Sequence, residues 1–455
     1  MRGLLALVLG LSASLTLAAP AVHEYQLKNG LKLIVKEDHR APVMVSQVWY
    51  KVGSSYEHDG ITGVSHVLEH MMFKGTKAHP AGEFSRIISK NGGRENAFTS
   101  QDYTAYFQTM EKSRLEVSFQ LEADRMRNLT LPEEEFLKEV RVVMEERRMR
   151  TEDNPQSLTW EQFNATAYIS SSYRIPVIGW MDDLESMHID DLRVWYRKWY
   201  APNNATVVVA GDVDPDDVLR LARRYFGPLK PSDITPSKPR REVTQLGIKR
   251  VQVKAPAELP YLMMGYKVPV VLTADKAQDW EPYALEVMAG VLDGGSGARL
   301  ASELVRGKAI AASAGAGYDA YDRLQSLFLL SGTPSRGNTV AELEAALREQ
   351  FQKLKDKPVG KDELERVKAQ MRAQKVYEQD SIFYQAMQIG VLETIGSSWR
   401  EAENYHKRIQ AVTADQVMAV AKKYLVDDHL TVAELVPQPI DPDHPPQRGG
   451  GGHGR

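Results

Sequence analysis

Alternation of apolar and polar residues from Glu24 to Lys36 breaks at Asn29-Gly30, the strongest short-range signal for a two-stranded hairpin. A further strand is expected over 43–52. From there the apolar spacing changes to three and four residues, predicting helices over 63–70, 83–90, 113–128, 132–150 and 189–200. An apolar run at 205–210 reads as a strand, followed by a short helix over 215–225. Four prolines among polar residues at 227–239 mark a linker. The pattern then begins again. Strands are expected at 249–254 and 261–266, a helix at 280–292, strands at 309–317 and 326–331, helices at 340–354, 361–377 and 414–424, and a closing strand at 430–435.

The two stretches close alike. Asp191 to Tyr200 leads into the apolar run 205–210, and Asp415 to Tyr424 leads into 430–435. This points to a duplicated unit of about two hundred residues per copy. The expected organisation is an N-terminal domain at 22–228, a linker at 229–245, a C-terminal homologous domain at 246–436 and a disordered tail at 437–455. Residues 1–21 read as a secretory signal. Arg2 precedes an apolar run from Leu4 to Leu17, and small residues cluster at Ala18, Ala19 and Ala21. Cleavage is expected after Ala18 or Ala21, giving a periplasmic or secreted protein without a membrane span, since the run is shorter than the ~20 residues a span needs.

Composition narrows the chemistry. The 455 residues hold 57 Lys and Arg against 60 Asp and Glu, a net charge of −3, so there is no overall electrostatic grip on nucleic acid. Cysteine is absent, which excludes disulfides, thiol nucleophiles and thiolate metal sites. Any metal must be held by the 11 histidines and the carboxylates.

One segment has the spacing for that. In Gly63 to Thr76, His66 and His70 are four apart and share one helix face, so two imidazoles can reach one ion. Glu69 flanks them, placed to face a water on that ion. The order H-x-x-E-H is a zinc-hydrolase signature. Two histidines and a carboxylate leave a zinc ion one open position. The metal lowers the pKa of water there, and a glutamate accepts its proton. The third ligand should come from a neighbouring element. On the helix after Pro132, Glu139 and Glu146 lie seven apart along one stripe beside the apolar side, while Glu145 points outward. Glu146 is the better-aimed ligand. Glu139, ~10 Å further along the axis, fits a role orienting a ligating imidazole. Taken alone, these glutamates could equally be a solvated face shared with Arg141, Arg147 and Arg148.

Here the sequence resembles the M16 (pitrilysin-like) zinc metallopeptidases, over about 24–436. The resemblance rests on His66-Val-Leu-Glu-His70, on Glu146 seventy-six positions beyond, and on Glu139 seven before that. The segment Asn91 to Tyr106 is similar to the family's substrate strand, and Asp293 to Leu300 to its second-domain glycine turn. The subunit type is that of bacterial two-domain chains, similar to the mitochondrial processing peptidase beta subunit. The resemblance implies an α+β fold of two tandem homologous domains, each an antiparallel sheet flanked by helices, forming half of a clamshell. It implies one zinc per chain on His66, His70 and Glu146, with Glu69 as general base and Glu139 in support. Asn96, Ala97 and Phe98 would border the cleft, where an edge strand takes an extended peptide by its backbone.

The sequence departs from the family at one place. Active members carry an Arg and a Tyr, seven apart, in the second domain, where this chain has Val305 and Ala312. Arg306 replaces the Arg only after a one-residue slip, and no Tyr follows until Tyr318. A partner supplying both groups is therefore expected. A heterodimer with a homologous Arg/Tyr-bearing subunit is preferred over a homodimer, whose copies would still lack the Tyr. The leading reading is an exported zinc endopeptidase acting on short or unfolded peptides. The alternatives are a catalytically idle peptide-binding or scaffold subunit, and a zinc hydrolase of a non-peptide amide.

Overall fold

The computed structural model describes residues 22–235, 238 and 240–441. The expected signal segment and most of the expected tail lie outside the described residues.

The first half builds a six-stranded sheet from β1 (Val22–Gln26), β2 (Lys32–Glu37), β3 (Val43–Tyr50), β4 (Arg94–Thr99), β5 (Thr104–Glu111) and β6 (Ala205–Gly211), in the order β1-β2-β6-β3-β5-β4. Its helices are α1 (Val64–Met71), α2 (Glu83–Lys90), α3 (Leu115–Asn128), α4 (Glu133–Arg147), α5 (Pro155–Ala167), α6 (Met181–Ser186), α7 (Ile189–Trp199) and α8 (Pro215–Tyr225). The second half builds a five-stranded sheet from β7 (Lys249–Pro256), β8 (Tyr261–Val268), β9 (Ala311–Gly317), β10 (Ser326–Pro334) and β11 (Leu430–Gln438), in the order β7-β11-β8-β10-β9. Its helices are α9 (Glu281–Asp293), α10 (Val340–Asp356), α11 (Lys361–Glu378), α12 (Ile382–Ile395), α13 (Arg400–Ala411) and α14 (Ala414–Tyr424).

Superposing the strand orders matches β2, β6, β3, β5 and β4 with β7, β11, β8, β10 and β9, so the fold is duplicated, with β1 added to the first copy. Each sheet is antiparallel except for one parallel pair at the same place, β2 with β6 and β7 with β11. The expected antiparallel sheets are thus present, each with one parallel pair. Each parallel pair joins the opening strand of a copy to its closing strand, across all the intervening helices. β11 also runs on to Gln438, where it pairs with Pro256, so the first two residues of the expected tail are strand.

β6 is buried at every position, with the run Thr-Val-Val-Val-Ala at 206–210. Such a strand needs cover on both faces. One face meets the helices of its own half, around Leu33, Val48, Val207 and Val209. The other is closed by α12 of the second half, where Ala386 and Ile389 pack on Ile34, Val45, Trp49 and Val208. The exchange is reciprocal. Phe163 and Ala167 of α5, from the first half, pack on Met263 and Ala433 of the second sheet. Helices α5 and α12 escaped the periodicity analysis. A helix buried on most sides lacks the polar face that produces the signal, and α12 reads Ile-Phe-Tyr-Gln-Ala-Met-Gln-Ile-Gly-Val-Leu-Glu-Thr-Ile.

The two contacts mirror one another with sizes reversed. Trp49 of β3 lies opposite Thr206, and Gly265 of β8 opposite Thr431, so they are equivalent positions in the two copies. The Trp49 ring fills the place of a side chain on Gly390, where an added Cβ would stand 2.1 Å from Trp49 Cε2. At Gly265, an added Cβ would stand 2.5 Å from Phe163 Cζ. Trp49→Ala empties the first contact and should cost ~3–5 kcal/mol in a denaturant titration. Gly390→Val, which cannot fit beside the ring, should destabilise the protein by at least ~1–3 kcal/mol. Unchanged midpoints for both variants would refute the exchange of α12.

Candidate metal centre

Helix α1 is anchored by Val64, Val67, Leu68 and Met71, which are buried in the first core. Its opposite side therefore presents His66, Glu69 and His70 to a cleft. Its start is fixed by Gly63 at φ 89°, a left-handed conformation, with Ile178 O only 2.8 Å from where a Cβ would lie. The buried Glu57 carboxylate accepts the N–H groups of Gly63 at 2.7 Å and Ser65 at 2.8 Å, satisfying donors that the helix leaves free. Helix α4 crosses α1 and brings its glutamates up to it. It ends at Arg147 and passes into a π-helical turn at Arg148–Glu152, shorter as an α-helix than the 132–150 expected.

The three expected ligands converge. Glu146 Oε2 lies 3.6 Å from His70 Nε2 and 3.9 Å from His66 Nε2. These three side chains offer donor atoms all within 4.8 Å of one another, and no other such group of three occurs among the described residues. Bonds of ~2.0–2.2 Å to a tetrahedral zinc ion separate donors by about 3.3–3.6 Å, so the residues fit that ion with small closing movements. Glu139 Oε2 lies 3.2 Å from His70 Nδ1. With Nδ1–H donating there, Nε2 would keep its lone pair for a metal ion. Lys74 holds the other oxygen of Glu139 at 2.5 Å. Burial, then His70 and Arg150, push the His66 imidazole down to about 3. It is thus neutral, as a ligand must be.

Glu69 stands apart from these contacts. Its Oε2 accepts a hydrogen bond from Thr99 Oγ1 at 2.6 Å. Burial raises its pKa above the usual range, opposed by the Thr99 bond and by His70. A raised carboxylate beside an ion site is a better proton acceptor than an exposed one. Thr99, Lys74 and Arg150, whose guanidinium meets Glu146 Oε1 at 2.6 Å, were missed by sequence analysis. Lys74 follows His70 by four residues, the one spacing that pointed to it.

The cleft beside the histidines has a volume of about 1040 Å³. Asn96, Ala97 and Phe98 of β4 line it, and Tyr318, Asp319 and Asp322 of the second half form part of its wall. Among the described residues β4 pairs only with β5, so its other edge carries no strand, and there Ala97 N–H donates to Asn96 Oδ1 at 2.9 Å. Val305 and Ala312 are not among the lining residues. Val305 packs against the second core, and Ala312 is exposed on β9. Arg306 donates to Ser296 O at 2.5 Å, and the Tyr318 hydroxyl donates to Pro269 O at 2.6 Å.

A helix pair that brings two histidines and a glutamate together in the first copy of a duplicated half-clamshell matches one class of protein. The family described as insulinase (peptidase family M16) matches residues 32–179, and the one described as peptidase M16 inactive domain matches 186–371. The chain belongs to peptidase family M16. It is 32% identical to the zinc protease PqqE of Helicobacter pylori, over 96% of this chain and 98% of the relative. It is 26% identical to the uncharacterized zinc protease YmxG of Bacillus subtilis, over 90% and 97%. The crystal structure of a protease from Helicobacter pylori superposes with a TM-score of 0.86 at 31% identity, covering 92% of this chain and all of that one. The periplasmic protease PqqL of Escherichia coli superposes with a TM-score of 0.76 at 19% identity, covering 93% of this chain and 49% of that one. Among the described residues, no helix is long and apolar enough to cross a membrane.

Proposed function

We propose that the protein is an exported zinc metalloendopeptidase that hydrolyses short or unfolded peptides in a periplasmic or extracellular space. The observation that carries this reading is the convergence of His66, His70 and Glu146 beside Glu69, whose carboxylate is held by Thr99, in a cleft edged by β4. His66, His70 and Glu146 would hold one zinc ion, and Glu139 would orient His70. When bound, zinc supplies Lewis acidity, lowering the pKa of water and polarising a carbonyl. Glu69 would accept the proton of the attacking water and deliver it to the leaving amine, with Thr99 fixing its carboxylate. The open edge of β4, at Asn96, Ala97 and Phe98, would take the peptide backbone as an added strand. This favours extended chains over folded ones and leaves sequence preference to side pockets.

The chain holds no Arg and Tyr at 305 and 312 to stabilise the developing oxyanion. Loss of one such donor typically costs ~10²–10³ in rate. A homologous subunit supplying both across a closed chamber would complete the site, and a homodimer is the less favoured arrangement. The same substitutions support a second reading, an idle peptide-binding or scaffold subunit. The test is a mixed peptide library incubated with the purified chain, with and without a co-encoded homologous subunit. Zinc-dependent cleavage that rises at least ~10²-fold with the partner is expected. Equal cleavage by the chain alone would remove the partner, and no cleavage by the pair would leave the idle reading. N-terminal sequencing of the mature protein should begin after Ala18 or Ala21.

A further inference from the structure

The connection between β9 and β10 sends a cation into the other half. Arg323 reaches the turn that joins β4 to β5. Its Nε donates to Asp102 Oδ1 at 2.8 Å, its backbone N–H to Asp102 Oδ2 at 3.3 Å, and its Nη2 to Ser55 Oγ at 2.7 Å. The guanidinium lies 4.4 Å from the centre of the Tyr56 ring. Ser55 Oγ also donates to Asp102 Oδ1 at 2.7 Å, and the Tyr173 hydroxyl donates to Asp102 as well. That hydroxyl accepts the N–H groups of Arg323 at 3.0 Å and Leu324 at 3.1 Å. Asp102 is only 3% exposed and Tyr173 only 2%.

The turn is held along its backbone too. Ser54 N–H donates to Ser100 O at 3.2 Å and Ser55 N–H to Gln101 O at 2.8 Å. Gly53 lies so close that an added Cβ would be 2.2 Å from Ser100 O. A buried ion pair of this kind contributes little net stability over an apolar replacement, and its best-attested product is a defined geometry. The geometry it defines here is that of β4. Three residues before Asp102, Thr99 holds Glu69, and Asn96 to Phe98 line the cleft just before that. The connection that carries Arg323 also carries Tyr318, Asp319 and Asp322 of the cleft wall.

The structure assigns Arg323 as a positioning residue: through Asp102 it fixes the β4–β5 hairpin against the cleft, so that the second half sets the edge to which a peptide adds. The peptide's place on that edge rests on the function proposed above. The second copy lacks an H-x-x-E-H of its own, and this contact gives it a direct hold on the site of the first.

The test uses the full chain with Arg323→Met, Arg323→Lys and Asp102→Asn. Amide exchange of 94–99 is compared with that of β3 and α1, zinc content is measured, and binding of fluorescein-labelled unfolded α-casein is titrated in the Glu69→Gln background. Arg323→Met should speed exchange at 94–99 by about tenfold or more, with β3 and α1 unchanged. It should weaken casein binding by roughly tenfold while zinc stays at one per chain. Arg323→Lys, which keeps the charge without the fork, should recover part of both. In the cleaving assembly KM should rise more than kcat falls. If Arg323→Met does not fold, Arg323→Lys and Asp102→Asn must each show the local change in exchange. Exchange at 94–99 that is unchanged, or that changes only in step with β3, overturns the assignment. Absence of cleavage by the unmutated assembly would defeat the peptidase reading and leave the exchange result to decide the role of Arg323.

Discussion

Glu69→Gln should lower peptide hydrolysis by ~10²–10⁴-fold and leave zinc binding intact. The substitution keeps the volume of the side chain and can still accept the hydrogen bond from Thr99 Oγ1, which is 2.6 Å from Oε2. It removes the negative charge and, with it, the ability to take a proton. Glu69 makes none of the close contacts that join His66, His70 and Glu146, so the ligand set should be untouched. The measurement is initial rate on a quenched peptide together with metal analysis of the same sample, in whichever assembly cleaves. Cleavage at the unmutated rate would assign the proton transfer to another group. Loss of zinc together with activity would make Glu69 a ligand instead.

His66→Ala and His70→Ala should each abolish stoichiometric zinc and all zinc-dependent cleavage. Each removes one of three donors, and two donors from a helix and its neighbour do not make a closed site. Glu146→Gln keeps an oxygen in place without its charge, and should weaken binding strongly. Glu139→Gln should have a smaller effect, ~10–100-fold in metal affinity, because it acts through His70 Nδ1 at 3.2 Å. A chelator should reproduce the histidine variants, and added zinc should reverse the chelator but not the variants. Zinc remaining at one per chain in the double histidine variant would refute the site.

The helix of the two histidines could be read directly. Four residues make one turn plus a little, so His66 and His70 must share a face once Val67, Leu68 and Met71 face the core. Glu146 was legible by the same rule applied to a second helix, since apolar neighbours set the stripe on which it stands. That these two helices meet was not legible from spacing. His70 and Glu139 are 69 residues apart in sequence; helix geometry offered Glu139 as an orienting group but left a solvated face equally open, and the resemblance to a known family chose between the two. Thr99 on Glu69 was missed because nothing in a strand's alternation says which helix lies over it.

Local periodicity, turn chemistry and composition thus determined the hairpin at Asn29-Gly30, most of the helices, the duplicated order of elements and the shared face of His66 and His70 on α1. They depend on neighbours within a few residues, which the chain itself brings together. The tertiary structure alone decided the crossing of α1 with α4, the exchange of α5 and α12 between halves, and the contact of Arg323 with Asp102 across 221 residues. Strand β6 shows why. Its unbroken apolar run announced that both faces are covered, but the cover for one of them is α12, whose own apolar surface gives no period to read. Partner choice between such surfaces is settled by shape, as where the Trp49 ring occupies the space left by Gly390, and shape exists only once the chain has folded.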